Sequence, residues 1–324
     1  MNKLENVLVS IFCITYNHGK YIRQALDGIL MQKTNFEYEV IIGDDCSKDN
    51  SRQIILEYKE KFGDKLKILF HEHNLGAIEN VRIIESYAKG KYVISLETDD
   101  YWTDPYKLQK QVDYLDAHPE VFAVAHRCQV VDVNSDKQNV IYPECKTRKY
   151  KTRHYRNWIL PGQYTTVMYK NYYSKEFNLD FEYRAKASVL GPGDRLLVFM
   201  TMARGEIHCL PDVMSCYRYV TQGGSSFSAN NNITHKQMVQ YYDVYIEYCR
   251  DKNVSTDLFD TAKMLYLEEL IASTFIEKST TKKAYKKLLK ENQISLKCFW
   301  YMLLHVIYRI SGKIIGKIRR VTYI

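Results

Sequence analysis

Residues 94–102 read Ile94-Ser95-Leu96-Glu97-Thr98-Asp99-Asp100-Tyr101-Trp102, an apolar run that ends in adjacent carboxylates followed by two aromatics. Two acids side by side repel each other unless positive charge lies beside them. A hard divalent cation answers this, because Mg²⁺ or Mn²⁺ takes one or two carboxylates plus substrate phosphates and neutralises a diphosphate leaving group. The competing reading is that Asp99 and Asp100 cap a helix beginning near Asp104 or Pro105. Asp104 followed by Pro105 already supplies that cap.

Upstream of this strand end, β-branched apolar runs alternate with helical patterns. Val7 to Thr15 precedes Tyr21 to Met31, Tyr38 to Ile42 precedes Asn50 to Lys61, and Leu66 to Phe70 precedes Ala77 to Ala88. Tyr92 to Leu96 then precedes Tyr106 to His118, and Val121 to Val131 reads as a further buried strand. Such alternation predicts an α/β fold with a mostly parallel sheet flanked by helices. The third helix carries Ala77, Val81, Ile84 and Ala88 on one face, with Gly90 expected as its C-terminal stop. In an open parallel sheet the ligand lies beyond the carboxyl ends of the strands, so the residues after each run are the candidates.

Two other strand ends carry polar groups. Gly43-Asp44-Asp45-Cys46-Ser47-Lys48-Asp49-Asn50-Ser51 offers carboxylates for a nucleobase or ribose, although Ser47, Asp49 or Ser51 can equally cap the next helix. Thr15-Tyr16-Asn17-His18-Gly19 brings an aromatic to the same edge, where Tyr16 either stacks on a base or is an ordinary turn residue. His71-Glu72-His73 is a poor metal site, since alternate residues of an extended segment point to opposite faces. Neither G-x-x-x-x-G-K-[ST] nor G-x-G-x-x-G occurs, which speaks against P-loop and dinucleotide-cofactor proteins.

Past residue 142 the pattern becomes irregular and rich in Tyr, Arg and Lys up to Asp180, as expected of a substrate-facing insertion. Asp194 to Arg204 predicts a short helix stopped by Gly205, followed by short strands at Ile207 to Leu210 and Met214 to Tyr219 around Pro211. After Gly223-Gly224-Ser225-Ser226 the remainder reads as helical, over 235–250, 256–277, 282–290 and 296–310. The expected domains are 1–228, carrying the sheet, and a helical region at 229–324.

The chain has 324 residues, 46% hydrophobic and 26% charged, enough to bury a full core rather than remain disordered. Its 46 Lys+Arg exceed 38 Asp+Glu, giving a formal charge of +8 that suits an anionic partner. The excess gathers at 146–156 and beyond Lys282. The eight cysteines form no C-x-x-C pair and fit a reducing compartment. The first residues lead directly into strand sequence and read as mature protein. No apolar run reaches the length of about 18 to 20 residues needed to span a bilayer.

Taken together, from about Val7 to Phe227, the segments resemble the inverting glycosyltransferases of family 2. The matching stretches are Val9 to Asn17, Ile41 to Ser51, Asn74-Leu75-Gly76 with Asn80, Ala88 to Val93, and Glu97 to Trp102, in this order and spacing. The resemblance implies the GT-A nucleotide-diphospho-sugar transferase fold and a nucleotide-sugar donor, expected to be a UDP-sugar. It places Thr15, Tyr16, Asn17 and Asp45 about the nucleotide, Asp99 on the ribose or donor sugar, and Asp100 with Asp99 on Mn²⁺ or Mg²⁺. The family often writes its metal motif as acid, any residue, acid, and more often has Gly where Thr98 stands here.

By the same resemblance, Gly191-Pro192-Gly193-Asp194 carries the catalytic base. An inverting transfer needs a carboxylate that removes the acceptor hydroxyl proton as that oxygen attacks C1. A helix N-terminus would favour the ionised form of Asp194, though the residue also satisfies a simple N-cap. Downstream, Ser215 to Tyr219 and Thr221 to Ser226 resemble the family's closing segment. There Arg218 is either a phosphate contact or an ordinary surface arginine, and the glycine pair is a candidate hinge. The Q-x-x-R-W motif of processive members is missing, so a single sugar is expected to move to a saccharide or lipid-linked saccharide acceptor, as in bacterial polysaccharide or glycolipid assembly.

The basic, aromatic-rich end at 297–324 is expected to lie on an anionic membrane surface or to pack on the rest of the chain. With it comes an expected location in the cytoplasm, peripheral on the cytoplasmic face of the membrane. No nucleic acid partner is expected. Two rivals are a nucleotidyltransferase, for which Thr15 to Lys20 lacks a glycine-rich basic loop, and a non-catalytic nucleotide-sugar- or nucleic-acid-binding protein, which would not need both metal-site acids and a base.

Overall fold

The computed structural model describes residues 6–143, 148–219, 233–275 and Trp300, with no side chains for residues 174–179. The Gly223-Gly224 hinge candidate, the helices expected at 282–290 and 296–310, and the basic end at 297–324 apart from Trp300 lie outside the described residues. The chain divides into two compact units, residues 1–182 with 197–231, and residues 183–196 with 232–324.

In chain order the elements are β1 (Val7–Thr15), α1 (Ile22–Leu30), β2 (Glu37–Asp44), α2 (Ser51–Phe62), β3 (Leu66–Phe70), α3 (Ala77–Glu85), β4 (Tyr92–Glu97), β5 (Tyr101–Trp102) and α4 (Lys107–Ala117). They continue with β6 (Val121–Val131), β7 (Lys137–Tyr142), α5 (Thr152–Arg156), β8 (Met168–Lys170), α6 (Tyr173–Ser188), α7 (Gly193–Arg204), β9 (Glu206–Arg218), α8 (His235–Asp251) and α9 (Thr256–Phe275). The described strands form one sheet in the order β3-β2-β1-β4-β8-β6-β9-β5, with β7 on β6. The β3-β2-β1-β4 half is parallel, as the alternation of strands and helices predicts. Beyond β4 the sheet is mixed, because the short β8 enters antiparallel to both β4 and β6.

Periodicity builds the core. Val9, Ile11 and Cys13 alternate along β1, and Ile22, Ala25, Leu26 and Ile29 recur at helical spacing on α1; all are buried in one cluster. Leu108, Val112 and Leu115 of α4 join the same cluster. Truncating a fully buried leucine such as Leu26 to alanine costs about 2–5 kcal/mol, so the strand ends rest on a rigid base.

Three local expectations change. α3 ends at Glu85, so Gly90 is not its cap. Instead Gly90 lies where a Cβ would come within 2.5 Å of the Ser10 backbone nitrogen, and its own N–H donates to Ser10 Oγ at 2.9 Å. The strands expected on either side of Pro211 are one continuous β9. Its pairing to β6 slips between Ala125/Cys209 and Arg127/Val213, and the slack accommodates a proline that has no N–H for the ladder. Asp104 is not the cap of α4: the N-cap position is Tyr106, with no side-chain cap bond, and Asp104 Oδ1 accepts the Tyr106 N–H at 2.8 Å in the turn before it.

The second unit is built on α8 and α9. Thr234 and Gln237 make a reciprocal capping box at the start of α8. Tyr241, Tyr242, Tyr245 and Tyr248 pack its buried face. Among the described residues no helix is long and apolar enough to cross a membrane.

Candidate active site

Parallel pairing brings three strand ends level. Thr15 of β1 is paired with Asp44 of β2, and Ile14 with Glu97 of β4, so the loops after β1, β2 and β4 emerge together. Backbone bonds then stitch them, from Asp45 N to Thr15 O at 3.0 Å and from Thr98 N to Ile14 O at 3.2 Å.

At the end of β4 the chain turns tightly, the Asp100 N–H reaching Glu97 O at 2.9 Å. Asp100 is 2% exposed, while Asp99 and Glu97 are half-buried. Asp100 Oδ1 accepts the Arg218 backbone N–H at 2.7 Å, and Oδ2, also buried, has no hydrogen-bond partner among the described residues. Burial, and then the Asp99 and Glu97 charges, hold the Asp100 carboxyl well above the usual carboxylate range, against the pull of the Arg218 amide and guanidinium. A carboxylate oxygen left bare beside two other acids fits a cation. Among the described residues no group of three or more His, Cys, Asp or Glu is arranged to hold a metal by itself. The donor set thus suits a hard ion that draws its remaining ligands from phosphate and water.

Arg218 is not the surface arginine of one expectation, being 3% exposed. Its guanidinium donates to Asp99 O at 2.8 Å, Asp132 O at 2.9 Å, Ser135 Oγ at 3.0 Å and Gln24 Oε1 at 2.9 Å, and lies 4.4 Å from the Tyr21 ring centroid. These contacts occupy most of the donor fork that a phosphate would use. The geometry makes it the clamp that holds the Asp99-Asp100 turn against the end of β9.

β5 carries the turn onward and is supported from below. Gly28 of α1 lies so close that a Cβ would meet the Trp102 backbone N and O at 2.9 Å each. Under the Trp102 ring, 4.1 Å from its centroid, lies the fully buried Lys107 amine, which donates to Gln111 Oε1 at 2.8 Å. Burial pushes this amine well below the usual lysine range.

The nucleotide candidates occupy the other two loops. Asp45 is buried, and its two oxygens accept the Leu75 and Gly76 N–H groups at 2.7 and 2.9 Å, which fixes the turn before α3. Asn80 fastens α3 to the same strand end, its side-chain amide donating to Gly43 O at 3.0 Å. Asn17 is in the left-handed region, φ 57°, a conformation asparagine tolerates. Its N–H donates to Ser47 Oγ at 2.9 Å and its Oδ1 accepts from the Lys48 N–H at 2.8 Å, so it joins two loops. Tyr16 is half-buried beside it. Thr15 is 2% exposed, and its hydroxyl has no hydrogen-bond partner among the described residues. Asp44 is wholly buried and ion-paired with Arg52 of α2, a partner that nothing in the sequence pattern announces.

Asp194 belongs to the other compact unit. It is in the first turn of α7, half-buried, with Oδ1 accepting the Arg195 N–H at 2.7 Å. The N-terminal position is expected to favour its ionised form, but burial outweighs the amide contact and raises its carboxyl above the usual range. The preceding loop is anchored by Tyr241, whose hydroxyl donates to Pro192 O at 2.6 Å. A Cβ on Gly191 would meet the Tyr241 ring at 2.8 Å, so only glycine fits there.

Comparison with known proteins follows the same outline. The family model described as "Glycosyl transferase family 2" matches residues 10–177, just over half of the 324-residue chain. An uncharacterized protein of Mycobacterium tuberculosis, Rv1520, is 36% identical over 217 residues, 66% of this chain and 60% of its own length. The match therefore spans less than two thirds of that relative. The Escherichia coli protein named UDP-Glc:alpha-D-GlcNAc-diphosphoundecaprenol beta-1,3-glucosyltransferase WfgD is 30% identical over 112 residues, 35% of this chain and 42% of its own. Among solved structures, Staphylococcus aureus TarS 1–349 in complex with UDP superposes with a TM-score of 0.63 at 16% identity, covering 98% of this chain and 93% of that one. That likeness is one of fold.

Proposed function

The chain belongs to glycosyl transferase family 2, with the GT-A fold, and from that premise we propose that it moves a single sugar from a UDP-sugar to a saccharide or lipid-linked saccharide, with inversion at C1. The observation that carries the reading is the buried Asp100 Oδ2, without a hydrogen-bond partner among the described residues, beside Asp99 and Glu97 at the junction of three strand-end loops. Asp100 and Asp99 would hold Mn²⁺ or Mg²⁺, which when bound neutralises the diphosphate leaving group. Tyr16 stacks on the base, Thr15, Asn17 and Asp45 line the nucleoside, and Asp99 takes the ribose or donor sugar. Arg218 holds the acid pair in place and leaves phosphate binding to others.

Asp194 acts as general base toward the acceptor hydroxyl. A carboxyl raised by burial is a stronger base once ionised, which suits proton removal from an alcohol in the transition state. Residues 1–228 form the transferase domain and 229–324 a helical region, whose basic end at 297–324 meets an anionic membrane surface on the cytoplasmic side. A diphosphate-lipid acceptor, like the one in the name of the E. coli relative, suits that location.

The test uses a GlcNAc-diphospho-lipid with UDP-glucose or UDP-GlcNAc and Mn²⁺. Asp194→Asn is expected to bind the donor as the wild type does and to transfer about 10²- to 10⁴-fold more slowly. Transfer at the wild-type rate would remove Asp194 as the base.

A further inference from the structure

The loop after β1 holds a histidine that the reading so far does not use. His18 is half-buried, and its backbone is fixed on every side. Its carbonyl accepts the Tyr21 and Ile22 N–H groups at 2.8 and 2.9 Å, Asn17 is tied to Ser47 and Lys48, and the Gly19 N–H donates to Asp49 Oδ2 at 2.8 Å. The imidazole is fixed as well, with Nδ1 at 2.9 Å from Thr98 Oγ1.

Counting hydrogens settles the tautomer. Thr98 is buried, and its hydroxyl donates its one hydrogen to Ile14 O at 3.0 Å. It must then accept from His18, so Nδ1 carries the ring proton and Nε2 of the neutral ring is a lone-pair acceptor. Nε2 has no partner among the described residues. A rigidly held acceptor thus lies at the meeting point of the β1, β2 and β4 loops, one residue from Asp99 through Thr98. An acceptor does not suit a phosphate oxygen, which has no proton to give, but it does suit a hydroxyl.

We infer that His18 binds the donor by accepting a hydrogen bond from a ribose hydroxyl of the nucleoside diphosphate, and that Thr98 is the positioning residue that makes it an acceptor. This rests on the UDP-sugar reading above. Glycine at position 98 would offer no hydroxyl to hold the ring.

The experiment is calorimetric titration of UDP, 2′-deoxy-UDP and 3′-deoxy-UDP with Mn²⁺ into the wild type, His18→Ala, Thr98→Val and Thr98→Ser. His18→Ala is expected to weaken UDP by about 3- to 10-fold, the worth of one hydrogen bond, while leaving unchanged the affinity of one of the two deoxy analogues. Thr98→Val, nearly isosteric, should reproduce that selective loss, and Thr98→Ser should restore binding. Equal weakening of UDP and both analogues, or no weakening, would overturn the inference while the donor reading stands. Failure of the wild type to bind UDP would instead sink the donor reading and this inference with it. If His18→Ala does not fold, the Thr98 pair decides the matter.

Discussion

Replacing Asp100 by asparagine separates stability from function. The substitution keeps the side-chain shape and the oxygen that accepts the Arg218 N–H, and removes the charge on a buried carboxylate that feels the charges of Asp99 and Glu97. The folded carboxyl is raised above its unfolded value, so without metal its ionisation opposes folding. That destabilisation is absent below the unfolded carboxylate pKa of about 3.9, grows as pH rises toward the folded value, and is complete above it. Relieving a buried, uncompensated charge is worth about 1–3 kcal/mol. At about 2–4 °C per kcal/mol, Asp100→Asn should melt about 2–12 °C above the wild type in EDTA. The gap should widen as pH rises above the unfolded carboxylate value toward the folded one. With Mn²⁺ and UDP the wild type should gain stability and the variant should not. Differential scanning calorimetry reads both effects. A variant that melts below the wild type in EDTA, or gains as much from Mn²⁺ and UDP, would refute the reasoning.

Arg218→Lys keeps the charge but loses the fork that reaches Asp99, Asp132, Ser135 and Gln24, and should cost about 2–4 kcal/mol in urea melts. Mn²⁺-dependent UDP binding should weaken more than UDP binding in EDTA; equal weakening would contradict the clamp. Gly28→Ala forces a methyl against the Trp102 backbone and should cost about 1–3 kcal/mol, with a lowered Mn²⁺ affinity as β5 shifts. An unchanged melt would show that α1 and β5 yield freely. Deleting residues 297–324 should move the protein from the bound to the free fraction in sedimentation with anionic liposomes, and unchanged sedimentation would refute the membrane role.

The sequence makes the first half of the fold legible, because the parallel strands are mostly apolar and β-branched and the covering helices carry apolar residues at helical spacing. Val7–Thr15 and Ala77–Glu85 are examples. The second half follows less directly. β8 is only three residues long and finds its place between β4 and β6 through long-range pairing that no local pattern records. Pro211 reads as a strand breaker, yet a slip in register absorbs it. At the candidate site the acidic residues stand out because like charges at a strand end are costly without a partner. Their supports do not. Arg218 meets Gln24, Asp132 and Ser135 only once the chain has folded, and the His18 tautomer depends on a hydroxyl 80 residues away. For Asp194, position in the helix suggests one direction for its acidity, and burial, which sequence does not report, reverses it.

The most direct test of the account is release of sugar from a panel of UDP- and GDP-sugars with Mn²⁺, run beside EDTA controls and Asp100→Ala. The account predicts hydrolysis of at least one UDP-sugar that needs the metal and disappears in Asp100→Ala. Release from no donor, together with nucleotide binding by Asp100→Ala indistinguishable from the wild type, would contradict it.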